Sequence, residues 1–311
     1  YSRQLLGAIF LQRGQHAEAL QHIERARKSS PDNAFVLNNQ GVVLRELKRY
    51  EEALKSLERA LVLRPDYAEA HSNRGNVLKA LLRINEALAS YDRALALRPD
   101  FAQAHSNRGD VLCELKRFEE ALTSCERALK LQPNFAEAHC NRANALRKLK
   151  RLDEAMAGYD RALSLKPDYA EAHSNRGTVL HDLHRFEEAL VSYDRALALR
   201  PDFAEALSNR GNALQELHRF EEALEEYQRA YGLRQDFAEA YSNCGNALRE
   251  LDRFEEAVAS FERAIALRPD FAEAHFNAAH CLLLTGDLGR GWKQYEWRWL
   301  TDQLNSEARN F

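Results

Sequence analysis

Over 311 residues, 44 Lys and Arg stand against 47 Asp and Glu, so the chain has no basic field to hold a phosphate backbone, and nucleic acid is not expected as a partner. Its apolar stretches fall far short of the roughly 20 residues of a membrane span, and the start lacks a basic-then-apolar signal pattern, so a cytoplasmic protein with no membrane partner is expected. Cys113, Cys125, Cys140, Cys244 and Cys281 occupy five different places in the pattern below, which fits core or surface thiols in a reducing compartment rather than a disulfide framework.

A 34-residue period governs the chain. Pro31, Pro65, Pro99, Pro133, Pro167, Pro201 and Pro269 are separated by 34 residues or a multiple of it, with Gln235 in the one vacant slot. The units run 1–33, 34–67, 68–101, 102–135, 136–169, 170–203, 204–237, 238–271 and 272–299, followed by a tail or linker start at 300–311. In the unit 68–101, Ala70, Val77, Leu78 and Leu81 approximate one helical face, and Ala87, Leu88, Tyr91, Ala94, Leu95 and Leu97 form a second. Two helices of about 13 residues fit, each roughly 20 Å long at 1.5 Å per residue. Pro65 ends the preceding helix, and Asp66 followed by Glu69 reads as a capping start. Acid pairs such as Glu51 with Glu52 and Glu221 with Glu222 suit the positive end of each second helix. No strand-like alternation interrupts the pattern, so the expected fold is all-α, an α-solenoid in which each helix pair packs on its neighbours. In the last unit Thr285, Gly286 and Asp287 make the turn, and Trp292, Trp297 and Trp299 are expected in one helix that covers the end.

Small residues recur where the two helices of a unit approach each other. Gly7, Gly41, Gly75, Gly109, Gly177, Gly211 and Gly245 form one column, completed by Ala143 and Ala279. Two alanine columns run from Ala19 and from Ala26, and Leu57, Tyr91, Tyr159, Tyr193, Tyr227 and Phe261 form a large-residue column in which Cys125 is smaller. This 34-residue order of Gly, Ala, aromatic, Ala and Pro resembles the tetratricopeptide repeat over residues 1–299. The resemblance implies a right-handed superhelix of about nine repeats whose first helices line a concave groove. Two columns depart from the family pattern: His71, His105, His139 and His173 stand where the family often has tryptophan, and Arg74, Arg108, Arg142, Arg176 and Arg210 where it usually has leucine.

Asparagine is a poor helix former, yet Asn39, Asn73, Asn107, Asn141, Asn175, Asn209, Asn243 and Asn277 hold one first-helix position in eight successive units. The family resemblance places that position on the groove. Its amide donates and accepts, so a column of them can grip the backbone of an extended peptide with little sequence preference, or can bond to the preceding repeat and fix its geometry. Asn76, Asp110, Asn144, Asn212 and Asn246, three residues later, extend the polar face as candidate peptide contacts, with Thr178 in the same column. Glu69, Glu137, Glu171, Glu205, Glu239 and Glu273 begin the first helices, and Glu46, Glu114, Asp182, Glu216 and Glu250 lie near their ends. Lys79, Arg147, Lys148 and Arg249 offset part of that charge, and the expected partner is an extended peptide or protein segment, neutral to basic.

No metal and no cofactor is expected: ligands on helices about 8–10 Å apart cannot converge on zinc, which needs them near 2 Å. The arginine column is expected to pair with acids such as Asp92, Asp160 and Asp194. No nucleophile elbow, phosphate loop or paired catalytic carboxylates rise above the repeats, so a binding scaffold is expected rather than an enzyme. Two alternatives stand beside it. The run Asn73 to Leu78 is similar to repeats in the tetratricopeptide region of O-linked N-acetylglucosamine transferases, and the run from Gly286 to Trp299 is similar to a segment of bacterial repeat proteins that precedes a glycosyltransferase-like domain. That likeness implies a region that recruits substrates for a larger enzyme. Exposed terminal repeats imply self-assembly.

Overall fold

The computed structural model describes residues 15–301, and among them every regular element is helical. The expected first helix of unit 1–33, with Gly7, and the tail beyond Thr301 lie outside the described residues. The chain divides into two compact units, residues 1–166 and 167–311.

The first holds α1 (His16–Ser29), α2 (Ala34–Glu46), α3 (Tyr50–Leu63), α4 (Ala68–Ala80), α5 (Ile84–Leu97), α6 (Ala102–Glu114), α7 (Phe118–Leu131), α8 (Ala136–Lys148) and α9 (Leu152–Leu165). The second holds α10 (Ala170–Asp182), α11 (Phe186–Leu199), α12 (Ala204–Glu216), α13 (Phe220–Leu233), α14 (Ala238–Glu250), α15 (Phe254–Leu267), α16 (Ala272–Leu284), α17 (Leu288–Tyr295) and a 3₁₀ turn, Glu296–Leu300. Helices of 13 and 14 residues alternate from α2 to α15, as the period predicts.

Each second helix buries a stripe such as Ala53, Leu54, Leu57 and Ala60 in α3 or Ala87, Leu88, Tyr91 and Ala94 in α5. The first helices answer with glycine. A Cβ on Gly75, Gly177, Gly211 or Gly245 would come within 2.7 Å of the ring of Tyr91, Tyr193, Tyr227 or Phe261. Where Ala143 replaces the glycine, the space comes from Gly158 on the facing helix, whose Cβ would lie 2.9 Å from that of Ala143.

The first helices end in a Schellman-type closure: Leu82 N–H reaches Lys79 O, and Arg83 N–H reaches Leu78 O at 2.9 Å. This puts Lys48, Leu82, Lys116, Lys150, His184, His218 and Asp252 at φ between 56° and 60°, where, among the described residues, the last repeat alone supplies a glycine, Gly286. The second helices end at turns such as Arg64 to Tyr67, in which Tyr67 N–H meets Arg64 O at 3.3 Å. Asp66 is therefore a turn residue and not the expected cap. The N-cap position of α4 belongs to Tyr67, without a side-chain cap, because the Pro65–Asp66 turn sets Asp66 one position too early. Side-chain caps occur at Asn33, which accepts from Phe35 and Val36 N–H, and at Asp287, which accepts from Arg290 N–H.

In each unit the first helices of successive repeats touch one another: α2, α4, α6 and α8 in one, α10, α12, α14 and α16 in the other. Among the described residues the second helices do not. The first-helix side is therefore the inner side of each stack.

The terminal repeat corrects one expectation. The three tryptophans do not share a helix, because α17 gives way to the 3₁₀ turn after Tyr295. Trp297 stacks on His275 at 3.9 Å, but Trp292 and Trp299 are 58% and 57% exposed and leave the end partly uncovered.

Candidate functional site

All eight asparagines of the first column are half-buried along the seam where first helices meet. In the first unit, Asn73 Nδ2 donates to Asn38 Oδ1 at 2.9 Å, Asn107 Nδ2 to Asn76 Oδ1 at 2.8 Å, and Asn141 Nδ2 to Ser106 O and Oγ at 3.2 and 3.1 Å. In the second, Asn243 Nδ2 donates to Asn212 Oδ1 at 2.9 Å and Asn277 Nδ2 to Asn246 Oδ1 at 3.0 Å. Each bond joins a repeat to the one before it. In Asn73, Asn107, Asn243 and Asn277 one amide hydrogen is thus committed to stacking, the role that stands beside peptide contact in the sequence.

The second column braces this ladder from behind. Tyr91 Oη donates to Asn76 Oδ1 at 2.7 Å, Tyr159 Oη to Asn144 Oδ1 at 2.6 Å, and Tyr227 Oη to Asn212 Oδ1 at 2.8 Å. Burial pushes the pKa of all three phenols up, so they remain donors at neutral pH. Phenol, second-column carbonyl and the next repeat's first-column amide form a relay. Sequence reading took these tyrosines for bulk alone. The signal was there in register: Tyr91 sits 15 residues after Asn76, whereas Leu57, with no hydroxyl, sits 15 after Val42.

The ladder breaks at one rung. Thr178 takes the second-column place 31 residues before Asn209, and its hydroxyl donates to Ser174 O at 3.2 Å and lies 3.4 Å from Tyr193 Oη. Asn209 has no hydrogen-bond partner among the described residues, although it is half-buried on the same face. Asn39 Oδ1 accepts from Asn38 at 3.4 Å, Asn107 Oδ1 from Gln103 at 2.9 Å, and Asn277 Oδ1 from Arg249 at 3.3 Å, while Asn175 is engaged as well.

The acids around this face are mostly paired. Glu69 meets Arg98 at 2.6 Å, Glu137 Lys166 at 3.0 Å, Glu171 Arg200 at 2.7 Å and Glu239 Arg268 at 2.6 Å, and Glu205 pairs with Arg234. Each cation ends the second helix of the acid's own repeat, 29 residues on, a separation that the sequence reading did not consider. The glutamates thus present ion pairs in place of free negative charge. Lys79 binds Asp110 and lies 3.2 Å from Glu114; burial opposes its charge, but the two carboxylates outweigh it and raise its pKa. Asp110, a candidate peptide contact, is thereby committed within the fold.

The histidine column has a structural task that sequence reading missed. Nε2 of His71, His105, His139, His173 and His275 lies 2.9 to 3.0 Å from the carbonyl of Pro65, Pro99, Pro133, Pro167 and Pro269, so the ring donates there and fastens the turn that opens its helix. Burial lowers the pKa of His71, His105 and His173, which keeps them neutral. Arg108 pairs with Asp92 at 2.7 Å and Arg210 with Asp194 at 2.8 Å, as expected, whereas Arg142 uses Glu126 at 3.5 Å and Arg74 Glu58 at 3.8 Å. No three metal-ligating side chains gather among the described residues. Burial raises the thiol of Cys113 to about 12 and that of the enclosed Cys125 as well, which suits core packing and not nucleophilic chemistry. No described helix is long and apolar enough to cross a membrane.

A family model described as TPR repeat matches residues 41–81, 143–184, 179–218, 216–252 and 245–286, and tetratricopeptide repeat models match 5–25, 72–134 and 124–157. No curated protein matches the chain. Among solved structures, the Cut9–Hcn1 hetero-tetramer of the APC/C is similar at 16% identity with a TM-score of 0.71, over 91% of this chain and 56% of that one. The present chain thus spans little more than half of that neighbour. A tetratricopeptide repeat protein from Parabacteroides merdae is similar at 18% identity with a TM-score of 0.63, over 79% of this chain and 98% of that one. A thermophilic TPR protein of Thermus thermophilus is similar at 25% identity with a TM-score of 0.52, over 58% of this chain and 97% of that one. The first two likenesses bear on fold alone. With helix pairs, glycine-to-ring contacts and family matches covering the same repeats, the chain belongs to the tetratricopeptide repeat family.

Proposed function

We propose that this chain is a protein-interaction scaffold whose first-helix face holds an extended peptide or protein segment. The supporting observation is the half-exposed row of asparagines on the inner side of each stack, in which Asn73, Asn107, Asn243 and Asn277 each retain a second N–H after the bond to the preceding repeat. Those remaining groups recur once per repeat and suit a peptide backbone. Of the second-column residues, Asn76, Asn212 and Asn246 act behind them as braces, while Asn144 accepts from Tyr159 and Asp110 is held by Lys79. With most early glutamates in ion pairs, main-chain contact sets affinity and charge plays a minor part in this groove.

A photo-crosslinking amino acid placed at Asn209, and separately at the 68% exposed Val191 of a second helix, tests the reading in a lysate of the native host. Crosslinks to a discrete partner from position 209 and not from 191 are expected. Equal or absent labelling at both sites rejects the inner-face assignment.

A second reading, self-association, draws on the exposed Trp292 and Trp299. Sedimentation at rising concentration gives an increasing mass if it holds. The likeness of Asn73 to Leu78 to glycosyltransferase-linked repeats supports a substrate-recruiting role within a larger enzyme; sugar transfer by this chain alone would overturn that division of labour.

A further inference from the structure

Between residues 34 and 271 there are seven full repeats, and in five of them the cation that ends the second helix is paired with an acid at the start of the first: Arg98 with Glu69, Lys166 with Glu137, Arg200 with Glu171, Arg234 with Glu205 and Arg268 with Glu239. In the sixth, Gln103 replaces the acid and Gln132 the cation, so both charges disappear together. The seventh breaks the rule. Arg64 keeps the cation, but the acid position is Phe35.

The consequences are visible around Arg64. Its ion-pair partner among the described residues is Asp66, an exposed turn residue 3.3 Å from Nε. The preceding residues 1–14 contain neither Asp nor Glu. Arg98, Arg200, Arg234 and Arg268 lie 3.5 to 3.6 Å above the ring of the following phenylalanine, whereas Arg64 stands 5.1 Å from Phe35 and 5.0 Å from Tyr67. Phe35 is 51% exposed, and beside it opens a recess of about 590 Å³ whose lining includes Ser30, Pro31, Asp32, Asn33, Leu63 and Arg64; the Asp32 carboxylate there is paired with Arg59 at 2.8 Å, which leaves Arg64 as the cation facing the recess.

We propose that this recess docks an acidic peptide segment, with a side-chain carboxylate on the Arg64 guanidinium where Glu69 sits on Arg98 one repeat later. An apolar residue next to that acid fills the recess against Phe35 and Leu63. A guanidinium offers a carboxylate paired, charge-assisted hydrogen bonds, and a neighbouring aromatic lowers the local dielectric, so the carboxylate supplied by the partner replaces the one absent from the repeat. The site lies at the repeat edge and is independent of peptide binding along the asparagines.

The test is fluorescence anisotropy of the whole chain with two labelled peptides, acetyl-Gly-Leu-Glu-Leu-Gly-amide and its Glu-to-Gln counterpart. The Glu peptide is expected to bind saturably and at least about tenfold more tightly than the Gln peptide, the scale of one charge-assisted contact. Arg64→Gln should erase that difference, and Phe35→Glu should do the same while raising the melting temperature, because it supplies the missing acid within the chain. Arg98→Gln should leave peptide binding unchanged. Equal binding of the two peptides, no saturable binding at millimolar concentration, or parental binding by Phe35→Glu each overturns the proposal.

Discussion

Inside a repeat, Gly75 lies against the ring of Tyr91 with no room for a methyl group; between repeats, Asn107 reaches Asn76 through a single 2.8 Å hydrogen bond on a half-exposed seam. The first contact is apolar, enclosed and sterically strict. The second is polar, open to solvent and tolerant of exceptions, since Asn141 reaches back to Ser106 instead and Asn209 omits the bond. Buried clusters such as Ala60, Tyr67 and Ala70 also join one pair to the next, so the polar seam is the more permissive part of the contact between repeats.

The largest effects should come from closing the space inside a pair. Gly75→Ala forces the Tyr91 ring or the helix to move and should destabilise by about 1–3 kcal/mol in urea melts, the usual cost of overpacking. Gly158→Ser should do the same, because Ala143 already fills the space across from it. Combined with Ala143→Gly, the serine should cost much less, and additive losses in that double-mutant cycle would show that the two positions do not share the space.

The seam should respond more mildly. Asn107→Ala and Asn243→Ala each remove one donor from a carbonyl that keeps its tyrosine partner, and a loss of about 1 kcal/mol is expected. Asn209→Ala has no such bond to lose and gains a few tenths of a kcal/mol of helix propensity, so its melt should match or slightly exceed the parent. Equal destabilisation at 107 and 209 would contradict the broken rung.

The turn within each pair offers a gain of similar size. Leu82 is 83% exposed at φ 59°, a left-handed conformation that costs a branched residue more than glycine. Leu82→Gly should stabilise by about 0.5–1 kcal/mol, after the greater freedom of glycine in the unfolded chain is set against the relief of strain.

Much of this was legible in the sequence, for reasons particular to each feature. The proline spacing and the glycine and aromatic columns gave the helix pair directly, because both are fixed by contacts within one 34-residue unit. The partners of Asn107 and Glu69 were not legible. They lie 31 residues before and 29 residues after, offsets set by how one helix packs on the next and not by any local pattern. Asp66 misled for a simpler reason: Asp-x-x-Glu fits a capping box, and only the position of the turn shows that the acid belongs to it.

The smallest effect expected is one of pH, and it separates repeats that are otherwise alike. His71, His105 and His173 have pKa values held down by burial, against the proline carbonyl bond that favours their charge and alongside Arg93 and Arg74, Arg127 and Arg108, or Arg195 and Arg176, which disfavour it. In the unfolded chain a histidine titrates near 6.5, so below that pH the unfolded state binds more protons than the folded one. These repeats are then at full stability above about pH 6.5 and lose stability as the pH falls through the lower folded value. Leu207 occupies the same position in the repeat 204–237 and cannot titrate. Hydrogen exchange at pH 7.5 and 5.5, corrected for intrinsic rates, should show protection falling in the helices that carry His71, His105 and His173 and holding in α12. A uniform loss that includes α12 would place the acid sensitivity in the surface carboxylates and not in the histidines that fasten the turns.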